Sequence, residues 1–461
     1  MSAVSRRERG RRRRLRRERA LALGAAGAAL ASVVLGVRVD AGTGAGTGGR
    51  TTAHPAPTPQ RSATPGLRED RASGATTAAP RAHASRAPSA AAAAAPSSDD
   101  VSFTILSAGD VLPHANVNRV AALPGGGYDF VPLMAGVREW TAGADLALCS
   151  LEVPLAPPGQ EVTGYPVFGA PAELVTALAE LGWDGCATAT NHALDRGTAG
   201  VTHTLDMLDA AGLGHVGTAR SAAEAAAPQL YRLERGGRTI VVAHLSATAV
   251  VNGRAGPSAT DRSVTGADPA ALTEQARTAR EAGADVVVAN LHWGVEYAHS
   301  PDAEQLRIAT ALAQGGQVDV VLGSHPHVPQ PIDRLPGGPR GEGMWVAWSM
   351  GNFLSNQDEE CCTMETATGV MTTATVQVPA RGPAAVTALE WTPVTVDVAE
   401  SRRVHALNDL AAGVRPDGLG LDAATIAARD ARVSEVMGTE GERLQAPRPT
   451  GPEPTVLPRP R

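Results

Sequence analysis

The chain contains no lysine, so all 41 basic residues among its 461 are arginine. This absence excludes enzymes that form a Schiff base through lysine, enzymes that attach pyridoxal phosphate, and nucleotide-binding proteins with a standard P-loop. Aromatic residues are scarce, at 3% of the sequence, so aliphatic side chains must fill most of the core. The length, with 43% hydrophobic and 19% charged residues, fits one large catalytic domain with extensions.

The chain has four cysteines: Cys149, Cys186, Cys361 and Cys362. None of them forms a C-x-x-C pair, which excludes a zinc ribbon. Cys149 and Cys186 each lie at the end of an apolar stretch that we interpret as a strand. A disulfide between neighbouring strands and two buried free thiols fit this pattern equally well. The adjacent Cys361 and Cys362 fit either separate partners or a bridge to each other.

Arginine is concentrated at the start of the chain. Residues 1–38 hold 11 Arg and 2 Glu, a net charge of +9, which leaves −15 on residues 39–461 of a chain whose total is −6. This acidic body argues against nucleic acid as a partner. The basic segment 1–19 precedes an uncharged apolar run at 20–37, which is the arrangement of a signal sequence or membrane anchor. We interpret it as a single anchor that holds an extracytoplasmic domain at the cell membrane, with secretion after cleavage as the alternative.

The rest of the chain divides into three parts. Residues 38–100 consist mainly of Ala, Pro, Thr, Ser and Gly and cannot bury enough apolar surface to fold, so we expect a disordered linker. Residues 101–400 alternate strand and helix patterns, which predicts an α/β domain. Residues 401–461 are interpreted as a C-terminal extension that is loose from about residue 440, where proline is frequent.

Two apolar stretches in this domain, 285–289 and 318–322, are each followed by histidine. Short stretches rich in β-branched residues, preceded by helical sequence, indicate buried parallel strands. Ligands bind at the carboxyl ends of such strands. The imidazoles delivered there are those of His292, His325 and His327, and neutral imidazole is a common ligand of Zn, Fe and Mn.

Ligand-type side chains follow other predicted strands as well: Asp110, Glu152, Asn191 and His192. Each alone is typical of a turn or a helix cap. Carboxylates, an amide oxygen and imidazoles together form the ligand set of a two-metal hydrolytic site, so the combination predicts a metal centre. The remaining histidines of the domain are interpreted as structural: His114, His203, His215, His244 and His299.

These motifs resemble the CapA family, named for poly-γ-glutamate capsule biosynthesis, which has a calcineurin-like metallophosphatase fold. In chain order the matching motifs are Gly109-Asp110, Leu151-Glu152, Asn191-His192-x-x-Asp195-x-Gly197, His292-Trp293-Gly294-x-Glu296-Tyr297, Gly323-Ser324-His325-Pro326-His327-Val328 and Ser349-x-Gly351-Asn352-Phe353. The resemblance extends from about Phe103 to about Val396. It implies an α/β, four-layer sandwich of two mixed β-sheets flanked by helices.

The resemblance also implies roles for individual residues. The ligands of two divalent ions (Mn, Fe or Zn) would be Asp110, Glu152, Asn191, His292, His325 and His327. His192 would protonate the leaving oxygen or stabilise developing charge. Asp195 would either orient His192 or form a salt bridge with an arginine. Glu296 would hold His292, and Asn352 would also support the ligands.

The function implied is the synthesis, export or anchoring of poly-γ-glutamate or a related capsule polymer. A metal-dependent hydrolase or transferase of this kind would act on an anionic surface polymer or a phosphoester. The chain departs from the usual patterns at Ser150, at Thr190 and at Leu112, where other metallophosphatases carry a histidine. The alternative is a non-catalytic subunit that binds polymer or assembles a membrane synthase complex.

Overall fold

The computed structural model describes residues 100–252 and 263–461. The basic segment 1–19, the apolar run 20–37 and nearly all of the linker 38–100 lie outside these residues, so the expectations for them stay predictions. Across the two described ranges, none of the helices combines the length and apolar character needed to cross a membrane.

Strands and helices alternate through most of the described chain. The strands are β1 (Val101–Val111), β2 (Leu146–Leu151), β3 (Gly185–Ala187), β4 (Gly214–Val216), β5 (Gln229–Arg235), β6 (Arg238–Thr248), β7 (Val286–His292), β8 (Val320–Ser324), β9 (Pro329–Leu335), β10 (Met344–Met350), β11 (Asn352–Leu354), β12 (Thr368–Val378), β13 (Ala385–Val396), β14 (Val404–Ala406) and β15 (Thr455–Val456). The α-helices are α1 (Ala115–Ala121), α2 (Val131–Met134), α3 (Arg138–Gly143), α4 (Glu173–Glu180), α5 (Gly197–Ala211), α6 (Ala222–Ala226), α7 (Pro269–Glu281), α8 (Ala303–Gly315), α9 (Leu407–Ala411) and α10 (Ala423–Met437).

The strands form two mixed sheets. The first has the order β14-β13-β12-β1-β2-β3-β4, with β11 beside β1, and the second has the order β15-β5-β6-β7-β8-β10-β9. Strands β1 to β4 are parallel to their neighbours in this series, as are β6, β7, β8 and β10. The carboxyl ends of each parallel set therefore lie at one edge of its sheet.

Apolar clusters separate four layers. The layer between the sheets includes Phe103, Ile105, Leu146, Val242 and Val288. The other face of the first sheet packs on helical residues that include Trp140, Leu174, Leu178 and Leu205. The other face of the second sheet packs on Leu272, Ile308 and Leu312 from its helices. The predicted α/β four-layer sandwich of two mixed sheets flanked by helices is confirmed.

The β7-α8-β8 unit shows how local sequence builds the edge that carries the histidines. Helix α8 is capped by Asp302, whose side chain accepts a hydrogen bond from Gln305 N, while the Gln305 side chain accepts one from Asp302 N. Such a capping box satisfies orphan donors at the helix start. The helix ends at Gly316, whose φ of 66° is the left-handed conformation of a typical C-terminal cap. The chain then returns as β8, parallel to β7 and ending beside it.

The C-terminal residues are held against the domain, which corrects the expectation that they are loose from about residue 440. Strand β15 pairs antiparallel with β5. Thr450 N donates to Asp145 Oδ1 over 2.7 Å, and Arg459 Nη1 donates to His215 O over 2.7 Å. The Pro-rich composition suggested a loose tail, but an extended segment needs only a free strand edge and a few buried polar partners to be fixed.

All four cysteines are bridged. Cys149 in β2 and Cys186 in β3 are direct partners across neighbouring strands and form a fully buried disulfide. Cys361 and Cys362 are bonded to each other in the segment between β11 and β12. The structure therefore favours the disulfide over the free thiols at the first pair, and the bridge between neighbours at the second.

Arg235→Ala should strongly destabilise the domain. Arg235 is 2% exposed, and its Nε donates to Asp145 Oδ1 over 3.1 Å, the same oxygen that accepts Thr450 N. Removing one partner of a buried ion pair leaves the other uncompensated, which costs about 3–5 kcal/mol. We expect a loss of this size in the free energy of unfolding measured by urea denaturation.

The matched control is Arg277→Ala, because the ion pairs of Arg277 lie on the surface of α7. Exposed pairs contribute little, so this variant should unfold at nearly the wild-type urea concentration. Equal destabilisation of the two variants would contradict the importance of the buried pair.

Candidate metal centre

The carboxyl ends of the parallel strands of both sheets meet at one buried cluster. The first sheet supplies carboxylate and amide side chains, and the second supplies imidazoles. The six predicted metal ligands found together there, all buried, are Asp110, Glu152, Asn191, His292, His325 and His327.

The tightest group in the cluster consists of Glu152, His325 and His327. One ligand atom from each of these side chains lies within 4.8 Å of the other two. Asp110 adjoins the group, since its Oδ2 is 3.3 Å from His327 Nδ1. Metal–nitrogen and metal–oxygen bonds are about 2.0–2.2 Å long, so small side-chain adjustments bring these donors onto a common ion. The group could therefore hold a metal ion.

Glu152 has no hydrogen-bonding partner for its carboxylate. Both of its side-chain oxygens are buried, and neither has a partner among the described residues. Burial, and then the charge of Asp110, raise the pKa of Glu152 well above its ordinary value. A buried, uncompensated carboxylate is strongly unfavourable, so the site calls for a proton or a cation. A carboxylate beside imidazoles is a donor set that suits a divalent transition metal.

The pKa values of the two neighbouring imidazoles are shifted in opposite directions. Burial, with the nearby His327 and His192, lowers the pKa of His325 to about 3, which keeps that ring neutral and able to act as a ligand. Burial would also lower the pKa of His327, but Glu152 and Asp110 raise it to about 9. The two carboxylates thus favour positive charge at this point of the cluster.

The turn between the two histidines has an unusual backbone. His325 has a φ of 97° and His327 a φ of 60°, on either side of Pro326. Residues with a β-carbon rarely adopt positive φ, and each such residue costs about 1–3 kcal/mol, which tends to be retained at functional sites. Tyr297 N donates to Pro326 O over 2.8 Å and fixes the turn from outside. The strain occurs where two imidazoles must converge on one carboxylate.

His292 is held by Ser324 and not by Glu296, which corrects the prediction for Glu296. The Nε2 atom of His292 is 3.0 Å from Asn191 Oδ1, and its Nδ1 atom is 3.1 Å from Ser324 Oγ. Two predicted ligands therefore contact each other directly. Glu296 is exposed because the chain leaves the sheet edge after β7 through Gly294, whose φ is 91°.

His192 and Asp195 form a hydrogen-bonded pair beside the cluster. His192 Nδ1 is 2.7 Å from Asp195 Oδ2, so the contact present is the orienting one and not a salt bridge to arginine. The same oxygen accepts Phe168 N over 2.7 Å, and the Phe168 ring packs edge-on against His192 with centroids 4.6 Å apart. Asn252 Nδ2 lies 3.2 Å from His192 Nδ1. Phe168 and Asn252 were missed from the sequence because they belong to no motif.

Asn352 contacts His327 directly, in line with its predicted supporting position. Its Oδ1 is 3.1 Å from His327 Nδ1, while its Nδ2 donates to Gln357 Oε1 and Thr366 O. Because these two acceptors fix the amide, its oxygen faces the imidazole. His327 then donates through Nδ1. An ion would displace the proton that the two carboxylates favour on Nε2, which lies 3.8 Å from Glu152 Oε1, and would bind the lone pair left there.

His114, interpreted from the sequence as structural, lies beside the cluster. Leu112, at the position of the missing motif histidine, is buried in the apolar core and offers no ligand. His114 Nδ1 is 2.9 Å from Leu112 O. Burial, with smaller contributions from His327 and His192, lowers the pKa of His114 to about 4. His114 lies two residues after the motif position 112, so the motif does not identify it.

Residues 104–357, more than half of the chain, match the family model described as bacterial capsule synthesis protein PGA_cap. The chain belongs to the PGA_cap family. It is 30% identical over 185 residues to the PGA biosynthesis protein CapA of Bacillus subtilis, with 40% of this chain and 46% of that protein covered. It is 31% identical over 194 residues to the capsule biosynthesis protein CapA of Bacillus anthracis, with 41% and 44% covered. The predicted CapA resemblance is confirmed.

A third relative, from Mycobacterium tuberculosis, is named "probable polyglutamine synthesis accessory protein" and is 29% identical over 214 residues, with 44% of this PGA_cap chain and 55% of the relative covered. The chain thus spans about half the length of the curated relatives it matches. Among solved structures, it is similar to the NAD nucleotidase of Haemophilus influenzae, at 14% identity and a TM-score of 0.41, with 76% of this chain and 65% of that one covered.

Glu152→Gln should separate stability from metal binding in this PGA_cap protein. The amide keeps the shape of the side chain and removes its buried charge, so in EDTA-treated protein the free energy of unfolding should rise by about 1–3 kcal/mol. The affinity for Zn²⁺ or Mn²⁺ should fall by at least about tenfold, because a ligand is weakened. Urea denaturation and titration calorimetry measure the two effects.

Glu180→Gln is the control, since Glu180 is exposed at the end of α4. It should leave both measurements near the wild-type values. Wild-type metal affinity in Glu152→Gln would argue against Glu152 as a ligand.

Proposed function

We propose that the protein is an envelope-anchored, metal-dependent hydrolase or transferase in the synthesis, export or anchoring of poly-γ-glutamate or a related capsule polymer. Its substrate would be an amide-linked anionic polymer or a phosphoester. Membership in the PGA_cap family and the names of the Bacillus relatives support the capsule role. Because the chain spans about half of those relatives, the polymer itself belongs to the proposal.

The carboxylate of Glu152, which accepts no hydrogen bond from the described residues, carries the proposal. Its buried oxygens lie among His325, His327 and Asp110, where a cation would compensate its charge. The residues proposed to hold two divalent ions of Mn, Fe or Zn are Asp110, Glu152, Asn191, His292, His325 and His327. When bound, such ions polarise a substrate oxygen as Lewis acids and stabilise the charge that develops in the transition state.

His192 is proposed to exchange a proton with the leaving group. Asp195 Oδ2 lies 2.7 Å from His192 Nδ1 and fixes both the ring orientation and the tautomer. Nε2 is then the nitrogen that gives or takes a proton, as in other His-carboxylate pairs. Asp195 is itself held in place because it also accepts Phe168 N.

The charge of the protein limits how an anionic polymer is attracted. Residues 39–461 carry a net charge of −15, which repels a polyanion at long range. Arg196 is engaged with Phe168 O and Glu161 O, and Arg119 with Asn116 Oδ1. The bound ions would therefore provide an important part of the attraction.

The N-terminal run 20–37 is proposed to hold the domain on the outer side of the cell membrane. There it would work beside the subunits of a membrane synthase. Cleavage of the run would instead release a secreted form. Cell fractionation and N-terminal sequencing of the mature protein decide between the two.

A non-catalytic role as a polymer-binding or assembly subunit is the second candidate. Leu112 offers no ligand, and Ser150 Oγ is hydrogen-bonded to Asp110 Oδ1 at 3.4 Å and to Ser324 Oγ at 3.3 Å. Both features favour an incomplete first metal position. The accessory role in the name of the mycobacterial relative points the same way.

Metal content of the purified full-length protein tests the main proposal. We expect about two ions per chain by mass spectrometry, lost in His325→Ala and His327→Ala but retained in the control His203→Ala, on α5. Metal loading would justify a screen of phosphoesters and γ-linked polyglutamate. A well-folded protein without bound metal, whatever ion is supplied, would leave the second candidate.

His192→Ala should lower kcat by about 10²–10⁴-fold on any substrate found by that screen, because it removes a general acid. The metal content should stay at the wild-type value, since His192 is not a proposed ligand. Asp195→Asn should lower kcat and shift its pH profile, since the imidazole loses its anionic partner. Metal lost together with activity in His192→Ala would make His192 a ligand and contradict its role as acid.

A further inference from the structure

Exposed apolar side chains are concentrated around the metal cluster. Nine large hydrophobic side chains are exposed in the described residues, and four of them lie on three loops next to the cluster: Tyr165, Val167, Val295 and Met364. Tyr165 is the most exposed of the nine, at 77%. Exposed apolar side chains grouped on neighbouring loops are typical of a binding surface.

Each of the three loops contacts a residue of the site. The first loop ends at Phe168, which packs on His192. The second follows directly after His292 at the end of β7. The third precedes Thr366, whose carbonyl oxygen accepts a hydrogen bond from Asn352 Nδ2. The exposed side chains are therefore positioned by the same residues that build the cluster.

The loop that carries Tyr165 is fixed on both sides. A β-carbon on Gly164 would lie 2.6 Å from Ala115 N, so the backbone packs too closely there for any other residue. The Arg196 guanidinium packs against the backbone at Gly169, where a β-carbon would lie 2.4 Å from Arg196 Nε. Arg196 Nε also donates to the carbonyl oxygen before Gly169, over 3.0 Å. Tyr165 thus projects from a rigid support, and a rigid tyrosine gives contact area at low entropic cost.

Tyr297 approaches the cluster from the second loop. Its ring centroid is 6.4 Å from that of His327, and its backbone, with a φ of 65°, is tied to Pro326 O. Burial, and then the charge of Glu296, raise the pKa of Tyr297, so its phenol keeps its proton and can donate a hydrogen bond. A strained backbone is therefore retained to place this ring at the mouth of the site.

Tyrosine and phenylalanine are rare in this chain, and several of them lie near the cluster. The whole chain has 4 Tyr and 4 Phe. Tyr165, Phe168 and Tyr297 all stand at the cluster, and Tyr165 contributes little to the core because most of its surface is exposed.

We propose that Tyr165 and Tyr297 are specificity-determining residues that hold an extended amide-linked chain across the metal cluster. The site then selects an internal segment of a polymer over a short fragment. This inference rests on the proposed function, because it names the form in which that site takes its substrate.

The chemistry of the rim fits a γ-linked polyamide. Such a chain alternates flat amide groups, which stack on aromatic faces, with methylene groups, which pack against Val167 and Val295. The phenol hydroxyls can donate to carbonyl oxygens of the chain or accept from its N–H groups. A small phosphoester would reach the metal cluster without touching exposed side chains as far out as Tyr165.

Binding of γ-linked glutamate oligomers of defined length to the full-length protein tests the inference. Titration calorimetry at constant ionic strength, with Mn²⁺ present, should show the octamer binding at least about tenfold tighter than the dimer. Tyr165→Ala and Tyr297→Ala should each weaken octamer binding by about three- to tenfold, because an aromatic contact is lost. Dimer binding and metal content should stay unchanged. Leu444→Ala, which truncates a side chain 66% exposed on the C-terminal segment, is the control and should bind as wild type does.

Thermal unfolding of each variant checks that Tyr297→Ala remains folded. Equal affinity of the wild type for dimer and octamer, or an unchanged octamer affinity in folded Tyr165→Ala, would overturn the inference. Equal binding of a neutral dextran, lost in the same variants, would make the rim a carbohydrate platform and would also overturn it. The proposed hydrolase activity is tested separately, by metal content and by turnover of substrate. Neither measurement depends on how binding varies with oligomer length, so the two proposals can fail independently.

Discussion

The structure depends on the contact between buried carboxylates of one sheet and imidazoles of the other. Asp110 and Glu152 end strands of the first sheet, whereas His325 and His327 follow a strand of the second. Burying the carboxylates without the imidazoles, or the imidazoles without the carboxylates, would be energetically unfavourable. Together they require the two sheets to keep a fixed separation and register at this edge. The cluster is thus a structural contact between the sheets as well as the candidate metal site.

The layer between the sheets changes character along the strands. On β7, Val286 and Val288 face the same side as Asn290 and His292, because side chains alternate with a period of two. The first pair belongs to the apolar core, and the second pair is polar and buried. His244 of the neighbouring β6 joins this polar region through Asn290 Oδ1, 2.9 Å from its Nε2. Strand β7 therefore contributes apolar core residues at its amino end and buried polar residues of the candidate site at its carboxyl end.

The alternation of strand and helix patterns predicted an α/β domain and the cluster, whereas the sandwich of two sheets was implied by the resemblance to the CapA family. Apolar stretches ending in ligand-type residues identify parallel strands that share an edge, which is why His292 and His325 could be placed together. Contacts that depend on the path of a loop were not predictable in this way. Ser324 holds His292 where Glu296 was expected. His114, which belongs to no motif, packs on Phe168, the residue that contacts His192. The C-terminal residues were misjudged because composition does not reveal an available strand edge.

Strand β1 also determines the point at which the preceding polypeptide joins the domain. It begins at Val101 and delivers Asp110 near its other end. With a rise of about 3.3 Å per residue, the polypeptide that precedes the domain joins it about 30 Å from the cluster. Any force transmitted through that polypeptide acts on the amino end of a central strand, opposite to the end that carries Asp110. The candidate site therefore lies away from the point of attachment.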